Sequence, residues 1–213
     1  MTEEEMINSN KARFIELAST ITREGAIIDS LIKKLEGSDF FVAPASTQYH
    51  GSFKGGLCTH CLNVYDNLSN MVKVFGYSEK ISNTSIIIVS LFHDLSKMNF
   101  YEEYFQNKKI YSESGSKKDE LGKFEWKSVP AFKVKESQDR FLFGTHGQNS
   151  EYMISRFIPL SMEESVAIIN HMGGKDNDTA NASNLSEIFN RYTLAVLLHM
   201  ADLKATYCDE RLM

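Results

Sequence analysis

The sequence has few of the residues that mark disulfide frameworks, flexible linkers or membrane spans. It contains three prolines and three cysteines, Cys58, Cys61 and Cys208, in 213 residues. So few cysteines exclude a disulfide framework, and the isolated Cys58-x-x-Cys61 pair favours small buried side chains over a zinc or redox site. No apolar run reaches the roughly 18 residues of a membrane span. The acidic N-terminus lacks the pattern of a secretory signal, so we expect a cytoplasmic protein without a membrane partner.

The chain also lacks repeats, low-complexity tracts and proline-rich linkers. Its net charge of −5 gives no global reason to expect a nucleic-acid coat. The length suits one domain with a substantial core. We therefore predict a single domain over residues 1–213, in which N-terminal helices (1–37) precede a core (38–207) that carries an insertion at 101–145.

Apolar residues at helical spacing dominate the chain. They predict helices over about 3–23 and 26–35, after Gly55-Gly56, around 86–95, from the Ser161 capping box to Gly173, and over 185–207. Polar and apolar residues alternate only inside the insertion, which favours short strands there. The fold class predicted is all-α, a helical bundle with a small β-hairpin-like insertion around residues 108–136.

Two aspartates stand where apolar residues are expected. Asp94 follows His93 at the end of a run of Ile, Val, Leu and Phe, and Asp202 shares a helix face with Leu198. A buried ionised carboxylate costs several kcal/mol unless it is paired or binds a metal. Both aspartates therefore need a partner, and an imidazole beside Asp94 is itself a metal ligand.

Further histidines also lie in or beside helices with apolar faces. Any one of them is more often an ordinary core residue, but four histidines and two aspartates together form a set of nitrogen and oxygen ligands. Such a set suits Mn, Fe, Ni, Co or Zn better than calcium. The candidate metal ligands are His60, His93, Asp94, His146, His171 and Asp202.

The order and context of these residues resemble the HD-domain superfamily of metal-dependent phosphohydrolases. The matching segments are GGLCTH at 55–60, LFHDLSK at 91–97, His146-Gly147, His171 and LHMAD at 198–202. The stretch from Ala43 through Tyr49-His50 to the helix that follows is similar to the HD domain of bacterial 3′-5′ exoribonucleases and to small HD proteins of bacteria and phages. The two additional histidines resemble the subgroup that binds two metal ions.

The resemblance implies a role for each ligand. His60, His93, Asp94 and Asp202 would bind one divalent transition metal ion, and Asp94 would bridge to a second ion held by His146 and His171. A water or hydroxide between the ions would attack phosphorus. Ser96 departs from the pattern, because a glycine is common at its position in the family, but this change removes no ligand.

Other residues are candidates for contact with the substrate. In the family a lysine at the position of Lys97 faces the substrate, so Lys97 is a catalytic candidate beside Asp94, although a solvated helix-end lysine is the alternative. His50 is a candidate at the mouth of the site. Trp126 belongs to a lysine- and aromatic-rich insertion that suits phosphates and bases, or else forms a solvated strand face. His199 is expected to support a ligand or the core.

The resulting functional prediction is a phosphohydrolase that cleaves a small phosphorylated substrate, a nucleotide or a short oligonucleotide. Two alternatives remain open at this stage. The same ligand set occurs in HD-fold mixed-valence di-iron oxygenases, and Lys97 does not distinguish the two classes. The chain could also be a catalytically silent nucleotide-binding module, although unused buried charges are costly.

Overall fold

The computed structural model of the chain describes residues 1–175 and 182–210. Its helices are α1 (Glu3–Ser19), α2 (Ile28–Glu36), α3 (Gly56–Val74), α4 (Asn83–Phe92), α5 (His146–Ser155), α6 (Met162–Ile169), α7 (Ala182–Arg191) and α8 (Thr193–Lys204). Its strands are β1 (Tyr101–Tyr111), β2 (Lys117–Asp119) and β3 (Gly122–Val134).

Several helices begin where the sequence supplies a cap. The Ser161 hydroxyl accepts a hydrogen bond from the Glu164 backbone N–H, while the Glu164 carboxylate accepts one from the Ser161 backbone, so the predicted capping box of α6 is confirmed. Thr145 and Gln148 form the same reciprocal pair at the start of α5. These caps satisfy backbone donors that have no partner within the first helical turn.

The prediction of an all-α fold is wrong, because the chain is 53% helical and 13% strand. The insertion forms a three-stranded antiparallel sheet in the order β1-β3-β2, and Tyr101 to Tyr111 pair with Val134 back to Phe124. The length of β3 was missed because Pro130 interrupts its alternation, and the length of β1 was missed because its residues do not alternate strictly between polar and apolar. The short strand β2 ends its pairing near Phe124, which leaves β3 an open edge where Pro130, lacking an N–H, is tolerated.

The C-terminal helical region also differs from the prediction of one helix over 185–207. The chain leaves helical geometry at Tyr192, between α7 and α8, and α8 runs into a π-helical turn over Ala205–Asp209. The helix α6 ends at Ile169 rather than at Gly173. Apolar periodicity continues across these breaks, and therefore could not reveal them.

The core lies around α3, which packs against α1, α4 and α8. Phe14 is fully buried and makes edge-to-face contacts with Phe40, Phe41 and Phe92 at ring-centroid distances of 5.2, 5.5 and 5.6 Å. Cys58 and Cys61 are buried, and burial raises the pKa of the Cys58 thiol to about 12. In the part of the chain that is described, no helix combines the length and apolarity needed to cross a membrane.

Candidate metal centre

Five segments of the fold deliver the predicted ligands to one buried location. His60 lies in α3, His93 and Asp94 follow α4, His146 opens α5, His171 follows α6, and Asp202 lies in α8. The side chains of these six residues are buried or nearly so. The structure therefore brings together all six residues that the sequence suggested as ligands.

The loop before α3 closes the site on one side. A Cβ on Gly56 would lie 1.9 Å from the backbone oxygen of Gly51, so only glycine permits this close approach. This close approach of Gly51 to Gly56 places the neighbouring His50 beside α3, where its ring centroid lies 5.0 Å from that of His60. His50 lines the site as a result.

The carboxylate of Asp94 lies between two pairs of imidazoles. Its Oδ1 is 2.5 Å from His146 Nε2 and 3.5 Å from His171 Nε2. Its Oδ2 is 3.6 Å from His60 Nε2 and 3.7 Å from His93 Nε2. Each oxygen thus faces a different pair of nitrogens, which is the arrangement that a bridging carboxylate requires.

The four imidazoles are held from behind through their Nδ1 atoms. Their partners are the Glu210 carboxylate for His60 at 2.9 Å, the Ser90 carbonyl for His93 at 2.8 Å, the Ser96 hydroxyl for His146 at 2.8 Å and the Ile168 carbonyl for His171 at 2.6 Å. A carbonyl or carboxylate at Nδ1 fixes the proton there and leaves Nε2 as a ligand. The departure at Ser96 thus has a structural use, because its hydroxyl contacts His146.

The spacing of the ligand atoms fits an ion. Two ligands at about 2.1 Å from a tetrahedral metal lie about 3.4 Å apart. His60 Nε2 is 3.1 Å from Asp202 Oδ1, 3.3 Å from His93 Nε2 and 3.6 Å from Asp94 Oδ2. Within each of two sets, His60–His93–Asp202 and His93–Asp94–His171, the ligand atoms lie within 4.8 Å of one another. These buried groups could therefore hold a metal ion.

An unsatisfied nitrogen supports the same conclusion. His171 is completely buried, and its Nε2, although 3.5 Å from Asp94 Oδ1, forms no hydrogen bond among the described residues. A buried polar atom without a partner is costly, and such atoms often belong to sites for ions or water. The donor chemistry and this orphaned atom both fit a divalent transition metal.

Burial and neighbouring charges strongly shift the pKa values of the residues in the site. Burial opposes a charge on His60, but hydrogen bonds to Asp202 and Glu210 outweigh it and raise the pKa of His60 to about 10. Burial lowers the pKa of His93 to about 3, despite the nearby charge of Asp94. Burial also opposes ionisation of Asp94, yet Lys97 and the neighbouring imidazoles hold the pKa of Asp94 well below its usual range. The carboxylate is therefore ionised and available as a ligand.

No protein-family model, curated protein or solved structure matches this chain. The chemistry of the site therefore has to be inferred from its own geometry.

A cavity of about 700 Å³ opens directly above the ligands. Its wall includes His50, Asp94, Lys97, His199 and Asp202. The Lys97 ammonium lies 2.7 Å from Asp94 Oδ2, and its side chain is 13% exposed. Burial lowers the pKa of Lys97, but the charge of Asp94 more than compensates, so the net shift is upward and the lysine stays charged. This cation therefore lies in the cavity wall, directly beside the ligand cluster.

Trp126 and His199, two other candidate residues, lie outside the cluster of ligands. Trp126 is half exposed on β3, where it packs edge-to-face against Phe124 and contacts the Lys109 ammonium, and it is not part of the cavity wall. His199 lines the cavity and donates its Nδ1 proton to the His171 carbonyl at 2.6 Å, so it supports the backbone beside a ligand. Glu210 was not predicted from the sequence, since it lies beyond the apolar pattern of α8.

Proposed function

We propose that the protein is an HD-type, metal-dependent phosphohydrolase that cleaves a phosphoester of a nucleotide or short oligonucleotide. The observation that carries the proposal is the position of Asp94, whose two oxygens each face a pair of imidazole Nε2 atoms at the floor of an open cavity. Two-metal sites of this type are common in enzymes that hydrolyse phosphoesters.

Two divalent ions held by this set would supply positive charge at a phosphoryl group and lower the pKa of a water molecule in the site. The first set consists of His60, His93, Asp94 and Asp202. The second uses the other oxygen of Asp94 with His146 and His171. The protein contributes rigid ligands, since each imidazole has a second contact through Nδ1.

Lys97 is the residue of the cavity wall best suited to a phosphate. Its ammonium is held by Asp94 Oδ2, the oxygen that faces His60 and His93. An ion at this oxygen would neutralise the carboxylate and leave the ammonium available to a phosphate oxygen. A fixed positive charge in a partly dehydrated site stabilises charge that develops on the phosphoryl group or the leaving group.

The outer part of the cavity suits a nucleoside. Tyr49 is 85% exposed at its rim, and Met172 and Leu203 supply apolar surface. Burial lowers the pKa of His50 to about 4, so this ring stays neutral and is available for hydrogen bonds. An exposed aromatic ring beside a polar floor favours a stacked base above a bound phosphate.

A second cavity supports a substrate longer than one nucleotide. It has a volume of about 370 Å³, and Gln48 belongs to the walls of both cavities. Tyr104, Gln106 and Lys108 line it from strand β1. Amides, hydroxyls and a lysine are the groups that contact phosphates and sugars in nucleic-acid complexes. The two adjoining cavities therefore favour a short oligonucleotide over an isolated phosphate.

The proposal is tested by turnover of small phosphoesters and short oligonucleotides by Mn²⁺-loaded protein. Lys97→Met should retain the metal and lower kcat/KM by at least about 100-fold, because one positive charge at the reacting group is lost. Lys54→Met is the matched control, since Lys54 is an exposed lysine paired with Glu103.

Two outcomes would contradict the proposal. Equal activity of the two lysine variants would remove Lys97 from the reaction. Iron-loaded protein that consumes oxygen, while every phosphoester in the panel stays intact, would favour the di-iron oxygenase instead.

A further inference from the structure

The carboxylate of Glu210 contacts His60 on the side opposite to the ligand cluster. Its Oε1 lies 2.9 Å from His60 Nδ1 and accepts a hydrogen bond from Asn63 Nδ2 at 3.1 Å. The residue is 4% exposed, so the carboxylate is removed from water. His60 is therefore held through both nitrogens, by Asp202 at Nε2 and by Glu210 at Nδ1.

The π-helical turn after α8 makes this double contact possible. An α-helix returns to the same face after about seven residues, or two turns. That spacing would place Asp209 on the face of Asp202. The π-helical turn over Ala205–Asp209 uses one additional residue, and the Glu210 backbone N–H bonds to the Ala205 carbonyl at 3.0 Å.

The additional residue exchanges the roles of two adjacent acids. Glu210 takes the position above Asp202 and reaches His60. Asp209 instead accepts hydrogen bonds from Lys204 and Asn67 at 2.7 Å. A π-helical turn is rare, and such turns occur frequently at functional sites. Here the turn directs a carboxylate to the back of a candidate metal ligand.

We propose that Glu210 is a positioning residue, which holds the proton of His60 on Nδ1 so that Nε2 faces Asp94 and Asp202 as a ligand. This inference rests on the metal centre of the proposed function. A carboxylate at the second nitrogen of a ligating histidine fixes its tautomer and ring orientation and increases its basicity. Loss of such a partner lowers metal affinity by about 10–100-fold.

A direct ligand role for Glu210 is the competing explanation. One ligand atom from each of His50, His60 and Glu210 lies within 4.8 Å of the others. His50 Nδ1 and Glu210 Oε2 also have no hydrogen-bond partner within the described ranges. However, His60 Nδ1 is at hydrogen-bond distance from Glu210 Oε1, and an ion there would have to displace the proton between them. The geometry thus favours a hydrogen bond over a third ion.

The experiment compares Glu210→Ala, Glu210→Gln and the wild type. Mn²⁺ binding by titration calorimetry should weaken by about 10–100-fold in the alanine variant. The glutamine variant should stay within about threefold of the wild type, because its amide oxygen still accepts the Nδ1 proton. Asp209→Asn is the matched control and should bind Mn²⁺ as the wild type does, since Asp209 does not contact His60.

An NMR measurement tests the hydrogen bond itself. The wild type, with or without Zn²⁺, should show a slowly exchanging His60 Nδ1 proton, assigned by its loss in His60→Gln. This resonance should persist in Glu210→Gln and disappear in Glu210→Ala. The resonance does not require a metal, so it tests the role of Glu210 even if the wild type binds no ion. Absence of ion binding would separately refute the proposed metal centre.

Three results would overturn the inference. The first is an Nδ1 proton that is absent from the wild type or unaffected in a folded alanine variant. The second is Mn²⁺ affinity in Glu210→Ala equal to that of the wild type. The third is the loss of one whole metal equivalent in Glu210→Gln and in His50→Ala alike, which would make Glu210 a ligand. If the alanine variant fails to fold, the glutamine variant and the wild-type resonance still decide between these outcomes.

Discussion

Replacement of Asp94 by Asn is the most informative single change in this protein. The two oxygens of Asp94 face different imidazole pairs, so loss of the carboxylate should weaken both halves of the site together. Elemental analysis of protein purified without chelator should find about two metal equivalents in the wild type and almost none in the variant.

The same substitution has a cost in stability that can be worked from the structure of the metal-free protein. The Lys97 ammonium is 2.7 Å from Asp94 Oδ2, and the two side chains are 13% and 2% exposed. Removal of one partner from a buried ion pair costs about 3–5 kcal/mol, because the other charge is left without compensation. Urea denaturation in the presence of chelator should therefore show a lower free energy of unfolding by about this amount.

Asp66→Asn is the matched control for stability. Asp66 pairs with Arg13 on the surface, where the side chains are 47% and 45% exposed, so its loss should cost no more than about 1 kcal/mol. The double variant Asp94→Asn with Lys97→Met should recover at least about 2 kcal/mol, since no unpaired lysine remains. Retention of two ions by Asp94→Asn would refute the bridging role, and a stability loss equal to that of the control would refute the buried pair.

Two further predictions concern groups at and beyond the metal centre. Glu164→Gln should lower the free energy of unfolding by about 3 kcal/mol and leave the metal content unchanged. The reason is that the fully buried Glu164 side chain binds both terminal nitrogens of Arg23 at 2.5 and 2.7 Å. A stability loss in urea denaturation smaller than that of Asp66→Asn would contradict this prediction. In metal-free protein, the free energy of unfolding should fall as pH rises from about 6.5 to about 10, because His60 keeps its proton in the folded state over this range and releases it on unfolding. Urea denaturation at a series of pH values should show a flatter profile for His60→Gln, and an equal slope in both proteins would refute the assignment.

Local chemistry allowed much of the helical framework to be predicted. The start of α3 at Gly55-Gly56 and the capping box at Ser161 depend on neighbouring residues, and both agree with the structure. The extent of the sheet was underestimated, because the open edge that accommodates Pro130 depends on the length of β2. The sequence could not show that Trp126 lies outside the cavity wall. Aromatic residues interleaved with lysines give the same pattern whether a strand faces a binding site or solvent.

The ligand set and its supports differ in how far the sequence determines them. Charged and imidazole side chains in apolar segments, such as His93-Asp94 and Asp202, are visible in the sequence because burial of such groups demands a partner. The sequence by itself therefore determined which side chains had to meet and what kind of ligands they supply. Only the tertiary structure decided which atoms face one another. The position of Glu210 behind His60 depends on one additional residue in a π-helical turn, and that turn packs against α3, which is distant in the sequence.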